Sequence, residues 1–230
     1  MDIDEMESPQ IAFGDSLYAR RLHLGLIVLD EVEEITTSLD EDDLDYTMIC
    51  RHLYSRFKVF AKARKLPTDA FPDRKEVVRF AEVLGLNHID IPAVLIRLAE
   101  LLVHGRQVAL ILTLLSGAAS ESIESEWHVS DNLVSDTKAD PTSSEVEHEL
   151  SMMNRRLTFT ALFSTRRGWI GTGPDTVMRG DVLVRIHGLL RTCILRKVEG
   201  SDDYMLVGGC FLRDDLGVDV RGENIMASLV

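Results

Sequence analysis

The sequence predicts an α+β fold: a small antiparallel β-barrel or curled sheet packed on a three-helix segment. The sheet draws on the C-terminal half plus one N-terminal strand. Three observations lead there. Apolar residues recur at helical spacing between residues 44 and 84, and a continuous aliphatic run follows from Val94 to Leu115. Short branched and aromatic runs recur about every ten residues after residue 155. A separate aliphatic run at 22–29 precedes the helices and needs a sheet to join.

Residues 1–15 read as a disordered or extended tail, and 16–116 as the N-terminal strand and helical segment. Leu22 to Leu29 is rich in branched residues and reads as a strand ending at Asp30. Asp40–Glu41–Asp42–Asp43 forms an exposed start for the first helix, since acidic groups complement the positive end of the helix dipole. That helix is expected over Leu44–Lys65. Ile49, Leu53, Phe57 and Phe60 make one apolar stripe, and cations dominate its later turns. Pro67 breaks the chain. A second helix is expected over Asp73–Leu84, with Val77, Phe80, Ala81 and Leu84 on one side and Gly85 at its C-terminal cap. A third starts at Pro92 and is heavily buried from Val94 to Leu115, with Gly105 as a kink or division. Arg97, Glu100, His104 and Arg106 interrupt it. The uncharged run after Arg106 falls short of the roughly 18–20 residues that a membrane span needs.

Residues 117–150 read as an acidic linker or loop rich in Ser, Glu, Asp and Thr, with Trp127 as its anchor. Residues 151–230 form the β-rich module, one domain together with 16–116. Its expected strands are Leu157–Phe163, Gly168–Pro174, Asp181–Gly188, Cys193–Val198 and Tyr204–Leu212. A hairpin turn is expected at Glu199–Asp203 and a bulge at Gly208–Gly209. In the third strand Val182, Val184 and Ile186 share one face, while Leu183, Arg185 and His187 share the other.

Charge and composition bound the function classes. The chain has 230 residues, 45% hydrophobic and 27% charged, as a globular core requires. The net charge of −13 is concentrated in residues 1–49 (−12) and 111–150 (−8), leaving the two folded segments mildly basic. No clustered basic surface suits nucleic acid or an anionic membrane, so neither partner is expected. The acidic stretches read as solvated, or as a segment that folds onto a basic face of the same chain. Cys50, Cys193 and Cys210 make an odd count with no metal-ligand spacing, and the first residues show no basic and apolar run of the kind a secretory signal has, so none is expected. Reduced thiols and a cytoplasmic location are the expectation.

Arg155–Arg156–Leu157, Phe163–Ser164–Thr165, Gly168–Trp169–Ile170–Gly171–Thr172–Gly173–Pro174 and Gly180–Asp181–Val182 form a series. Leu195–Arg196 and Tyr204–Met205–Leu206–Val207–Gly208 continue it. This series resembles the C-terminal region of fungal heterokaryon-incompatibility (HET) proteins, and Leu22–Ile35 resembles a short upstream β segment of that family. The N-terminal domain that names the family has no counterpart. The proline that precedes the Leu–Arg strand is replaced near Thr192, and the usual tail becomes Phe211–Leu212–Arg213–Asp214–Asp215. The resemblance implies a fungal source and a related fold, and transfers no activity.

Candidate chemistry is sparse. The glycine turn has G-x-x-G-x-G-P spacing and no following helix, so a structural turn is favoured over phosphate binding, with Gly173–Pro174 reversing the chain. His187 and Arg185 are the catalytic candidates, as acid or base and as anion holder; solvent-facing positions are the alternative. Trp169, Tyr204 and Arg156 are the ligand or pocket candidates, against the plainer reading of Trp169 and Tyr204 as core or rim. His23 reads as a hydrogen-bonded core histidine, and Asp181 as the cap of a turn. Arg155–Arg156 and Arg166–Arg167 are paired cations expected to meet the acidic linker or solvent, with a partner-binding patch as the alternative. No cofactor or metal is expected. Two functions follow. One is a non-catalytic interaction or regulatory module, bound to a protein partner or to itself. The other is a cofactor-independent isomerase or cyclase of fungal secondary metabolism, with a small-molecule pocket in the β module.

Overall fold

The computed structural model describes residues 22–36, 38, 46–67, 71–86, 92–115, 151–153, 155, 157–189, 191–213 and 222–230. The expected tail at 1–15, the acidic segment at 117–150 and Arg156 lie outside them. The chain divides into two compact units, Thr36–Leu162 and the pair Met1–Ile35 with Phe163–Val230.

The first unit carries α1 (Tyr46–Ala63), α2 (Arg74–Val83) and α3 (Pro92–Leu115). In α1 the expected stripe is buried through Leu53, Phe57 and Phe60, with Cys50 a turn earlier. Asp73 caps α2, its carboxylate accepting the Glu76 N–H at 2.9 Å. Gly85 has φ 74° just past that helix, a left-handed position that glycine takes without strain. The rings of Phe57, Phe60 and Phe80 meet at 5.2–5.8 Å and tie α1 to α2. α3 runs unbroken through Gly105, so the glycine is not a division. A Cβ there would lie 2.1 Å from Cys50 O, so Gly105 lets α3 approach the backbone of α1. Among the described residues no helix is long and apolar enough to cross a membrane.

The second unit is built on an eight-stranded sheet, giving mixed α and β content overall. Its strands are β1 (Leu22–Thr36), β2 (Thr160–Thr165), β3 (Ile170–Pro174), β4 (Val182–Ile186), β5 (Thr192–Lys197), β6 (Asp203–Gly209), β7 (Phe211–Arg213) and β8 (Glu223–Leu229). Their order is β4-β5-β6-β8-β1-β2-β3-β7, and β4 also pairs with β1. The pairings β1–β4, β4–β5, β5–β6, β6–β8 and β8–β1 therefore form a closed ring. All but one are antiparallel; β6 and β8 run parallel at Asp203↔Ser228 and Tyr204↔Leu229. A register shift between Val28 and Asp30 lets β1 serve the ring with its first half.

Several expected boundaries move. β1 continues past Asp30 to Thr36. Residues 157–159 are helical, and the strand expected from Leu157 starts at Thr160. Gly173–Pro174 lies within β3, and the turn follows at 175–176. The single strand expected over Tyr204–Leu212 is two, broken at Cys210, with the shift in the β5–β6 register at Ile194/Leu195. The hairpin at 199–203 is present, closed by Val198 N–H to Asp203 O at 2.9 Å, with Gly200 at φ 78°.

Candidate functional site

The ring sorts side chains by strand alternation. Leu26, Val184, Ile186, Cys193, Leu195 and Ala227 form one buried cluster. Leu24, Val28, Val182, Tyr204, Ile225 and Leu229 pack against it. The intervening residues of β8, β1 and β4 therefore share the opposite face, in registered rows. Asn224, Ile27 and Arg185 form one row; Met226, Gly25 and His187 the next; Ser228 and His23 the third.

This face gathers the chemistry. His23 is exposed rather than in the core, and its Nδ1 lies 2.9 Å from Ser228 Oγ. The His187 N–H donates to Gly25 O at 3.1 Å, and its ring lies across the bare backbone of Gly25. A Cβ on Gly25 would stand 2.8 Å from His187 Cδ2. Met226 is 74% exposed. Arg185 is exposed one row away, so both catalytic candidates stand on the open face and not in the ring interior.

The remaining candidates sit elsewhere. Trp169 is buried, its backbone N–H donating to Thr165 Oγ1 at 3.1 Å and its ring centroid 5.6 Å from the Arg167 guanidinium. Tyr204 packs against the ring core. Asp181, buried, accepts from Arg196 Nε at 2.8 Å and Nη2 at 2.9 Å, and from the Met178 N–H at 2.8 Å. It closes the turn before β4, and its carboxylate lifts the Arg196 guanidinium above its ordinary range. Of the paired cations, Arg166 reaches Glu31 at 2.6 Å and the Arg167 N–H reaches Asp30 at 2.9 Å. Arg155 is exposed.

None of the three cysteines forms a disulfide. Burial pushes the Cys193 thiol up. Burial, with the neighbouring Cys193, pushes Cys210 up to about 12. A surface hollow of about 530 Å³ is lined by Lys197–Asp202, the hairpin turn itself. It contains none of the sequence candidates.

Ser228, Met226 and Asn224 escaped the sequence reading because β8 did. The signal was present in Ile225, Ala227 and Leu229 alternating with Asn224, Met226 and Ser228. No family model, curated protein or solved structure matches this chain.

Proposed function

We propose that the chain is a non-catalytic interaction or regulatory module related to the C-terminal region of fungal HET proteins, acting on protein partners in the cytoplasm. In this reading the five-stranded ring is a small barrel that presents the β8–β1–β4 face. The observation that carries the reading is the filling of the ring. Its interior is occupied by aliphatic side chains, with Cys193 and Tyr204, while Arg185, His187 and His23 project outward. A catalyst of small molecules gathers polar groups in an enclosed apolar pocket. A partner-binding module displays them on a rigid face.

Affinity capture from fungal lysate at several salt concentrations tests the proposal, using the wild-type chain beside Arg185→Glu and His187→Ala. Defined partners retained by wild type and lost from the variants support it. Absence of any stable protein partner overturns it. Turnover of a small molecule by the purified chain, abolished by His187→Ala, would favour an isomerase or cyclase instead.

A further inference from the structure

Gly25 carries no side chain in the middle of the β8–β1–β4 face, and the His187 ring takes up that space. On one side its register partner is Met226; on the other is His187, whose ring lies across the glycine with Nε2 3.6 Å from where a Cβ would stand. Two residues along β1, on the same face, is His23. His23 is diagonal to both His187 and Met226 on the adjacent strands, about 7–8 Å away, while His187 and Met226 flank β1 from opposite sides. The His187 ring therefore leans over β1 on the face that also carries His23 and Met226, so two imidazoles and a thioether share one small area.

The donors suit one class of ion. Thioether sulfur favours the soft ion Cu(I), and imidazole accommodates copper as readily as Zn(II), which otherwise prefers thiolate and carboxylate partners. Among the described residues no three His, Cys, Asp or Glu side chains gather, and the further soft donor on this face is the Met226 thioether. His23 carries the support that metal-bound histidines usually have. When its Nδ1–H donates to Ser228 Oγ, the ring orientation is fixed and the Nε2 lone pair points away from the hydroxyl. Among the described residues neither His23 Nε2 nor the His187 ring makes a hydrogen bond. Met226, at 74% exposure, is a poor structural residue and an accessible ligand.

We propose that His23, His187 and Met226 form a surface site for Cu(I) on the β8–β1–β4 face, with Gly25 giving the His187 ring room to lean across β1. The site does not depend on the protein-partner reading and is tested without a partner. The full chain carrying Cys210→Ser, to remove the more accessible thiol, is titrated anaerobically with Cu(I) against bicinchoninate. Methyl resonances of the methionines are followed by NMR in parallel. One equivalent of Cu(I) is withdrawn from the chelator, and the Met226 methyl signal moves. In the same background His187→Ala and Met226→Leu each weaken binding at least tenfold, and Zn(II) binds more weakly than Cu(I). Met226→Leu keeps the volume of an exposed side chain, and far-UV circular dichroism verifies that each variant remains folded. Failure to withdraw Cu(I) overturns the proposal. So does a Met226→Leu variant that binds as wild type does, or a Met226 methyl signal that stays in place.

Discussion

Arg56 is a charged side chain at 1% exposure, and its surroundings explain why it is tolerated. Its Nη2 donates to Leu157 O at 3.0 Å and to Thr160 O, its Nη1 approaches Thr160 Oγ1 at 3.5 Å, and its Nε approaches His52 Nε2 at 3.3 Å. Leu157 opens the helical stretch 157–159 and Thr160 opens β2, and the guanidinium links the two carbonyls. Burial pulls the guanidinium down to about 10, which leaves it charged at neutral pH. A lysine carries one ammonium and cannot span these acceptors. Arg56→Lys should therefore cost roughly 1–3 kcal/mol for each carbonyl left without a partner, read from urea unfolding. Cys210 behaves in the opposite sense. Its thiol is pushed from 9.0 up to about 12, so the folded state holds the proton where the unfolded chain releases it. The stability this contributes is present below about pH 9 and is lost as pH rises towards 12. Comparison of wild type with Cys210→Ser should show an extra loss in wild type across that window. At pH 8 the native thiol should react with iodoacetamide far more slowly than the same thiol in urea.

At the scale of elements, Gly105 gives a direct test of helix packing. Its backbone stands where a Cβ would meet Cys50 O at 2.1 Å and Tyr54 Cβ at 2.9 Å. Gly105→Ala improves intrinsic helix propensity yet forces α1 and α3 apart. A fall in melting temperature, equivalent to about 1–3 kcal/mol of overpacking, is expected; a rise would mean that the helices slide freely. α1 and α2 were legible from their 3.6-residue stripes and α3 from its continuous aliphatic content, with Asp73 before α2 and Pro92 at the start of α3 as recognisable ends. β4 and β5 were legible because aliphatic side chains face the ring core from both. β8 was not, since Glu223, Asn224 and Ser228 dilute its three inward apolar residues. The helical turn at 157–159 was hidden by Leu157–Thr158–Phe159, a run that suits a strand equally well by residue type. Of the candidate site, His187 and Arg185 were found from their shared face. His23, Ser228 and Met226 joined them through pairings to strands far away in sequence, which local periodicity does not encode.

In the molecule as a whole, the ring depends on β8. This strand pairs with β1 over seven registered positions, Leu22↔Leu229 to Val28↔Glu223, and with β6 over two. Deleting residues 223–230 removes Ala227 from the buried cluster and separates β1 from β6. The truncated chain should keep its helical circular dichroism and lose the hydrogen-exchange protection of β1, β5 and β6. Equal protection in the two proteins would mean that the ring needs no closing strand.

The same pairing sets a problem of timing. β1 and β8 are about 200 residues apart in the chain, so the first strand of the ring leaves the ribosome long before its neighbour exists. At roughly 5–20 residues per second, synthesis of the intervening chain takes about 10–40 s. Throughout that interval Leu24, Leu26 and Val28 have no ring interior to enter, and one edge of β1 has no partner. The nascent protein must therefore spend tens of seconds with an apolar, unpaired strand exposed, and holding chaperones would act in that window.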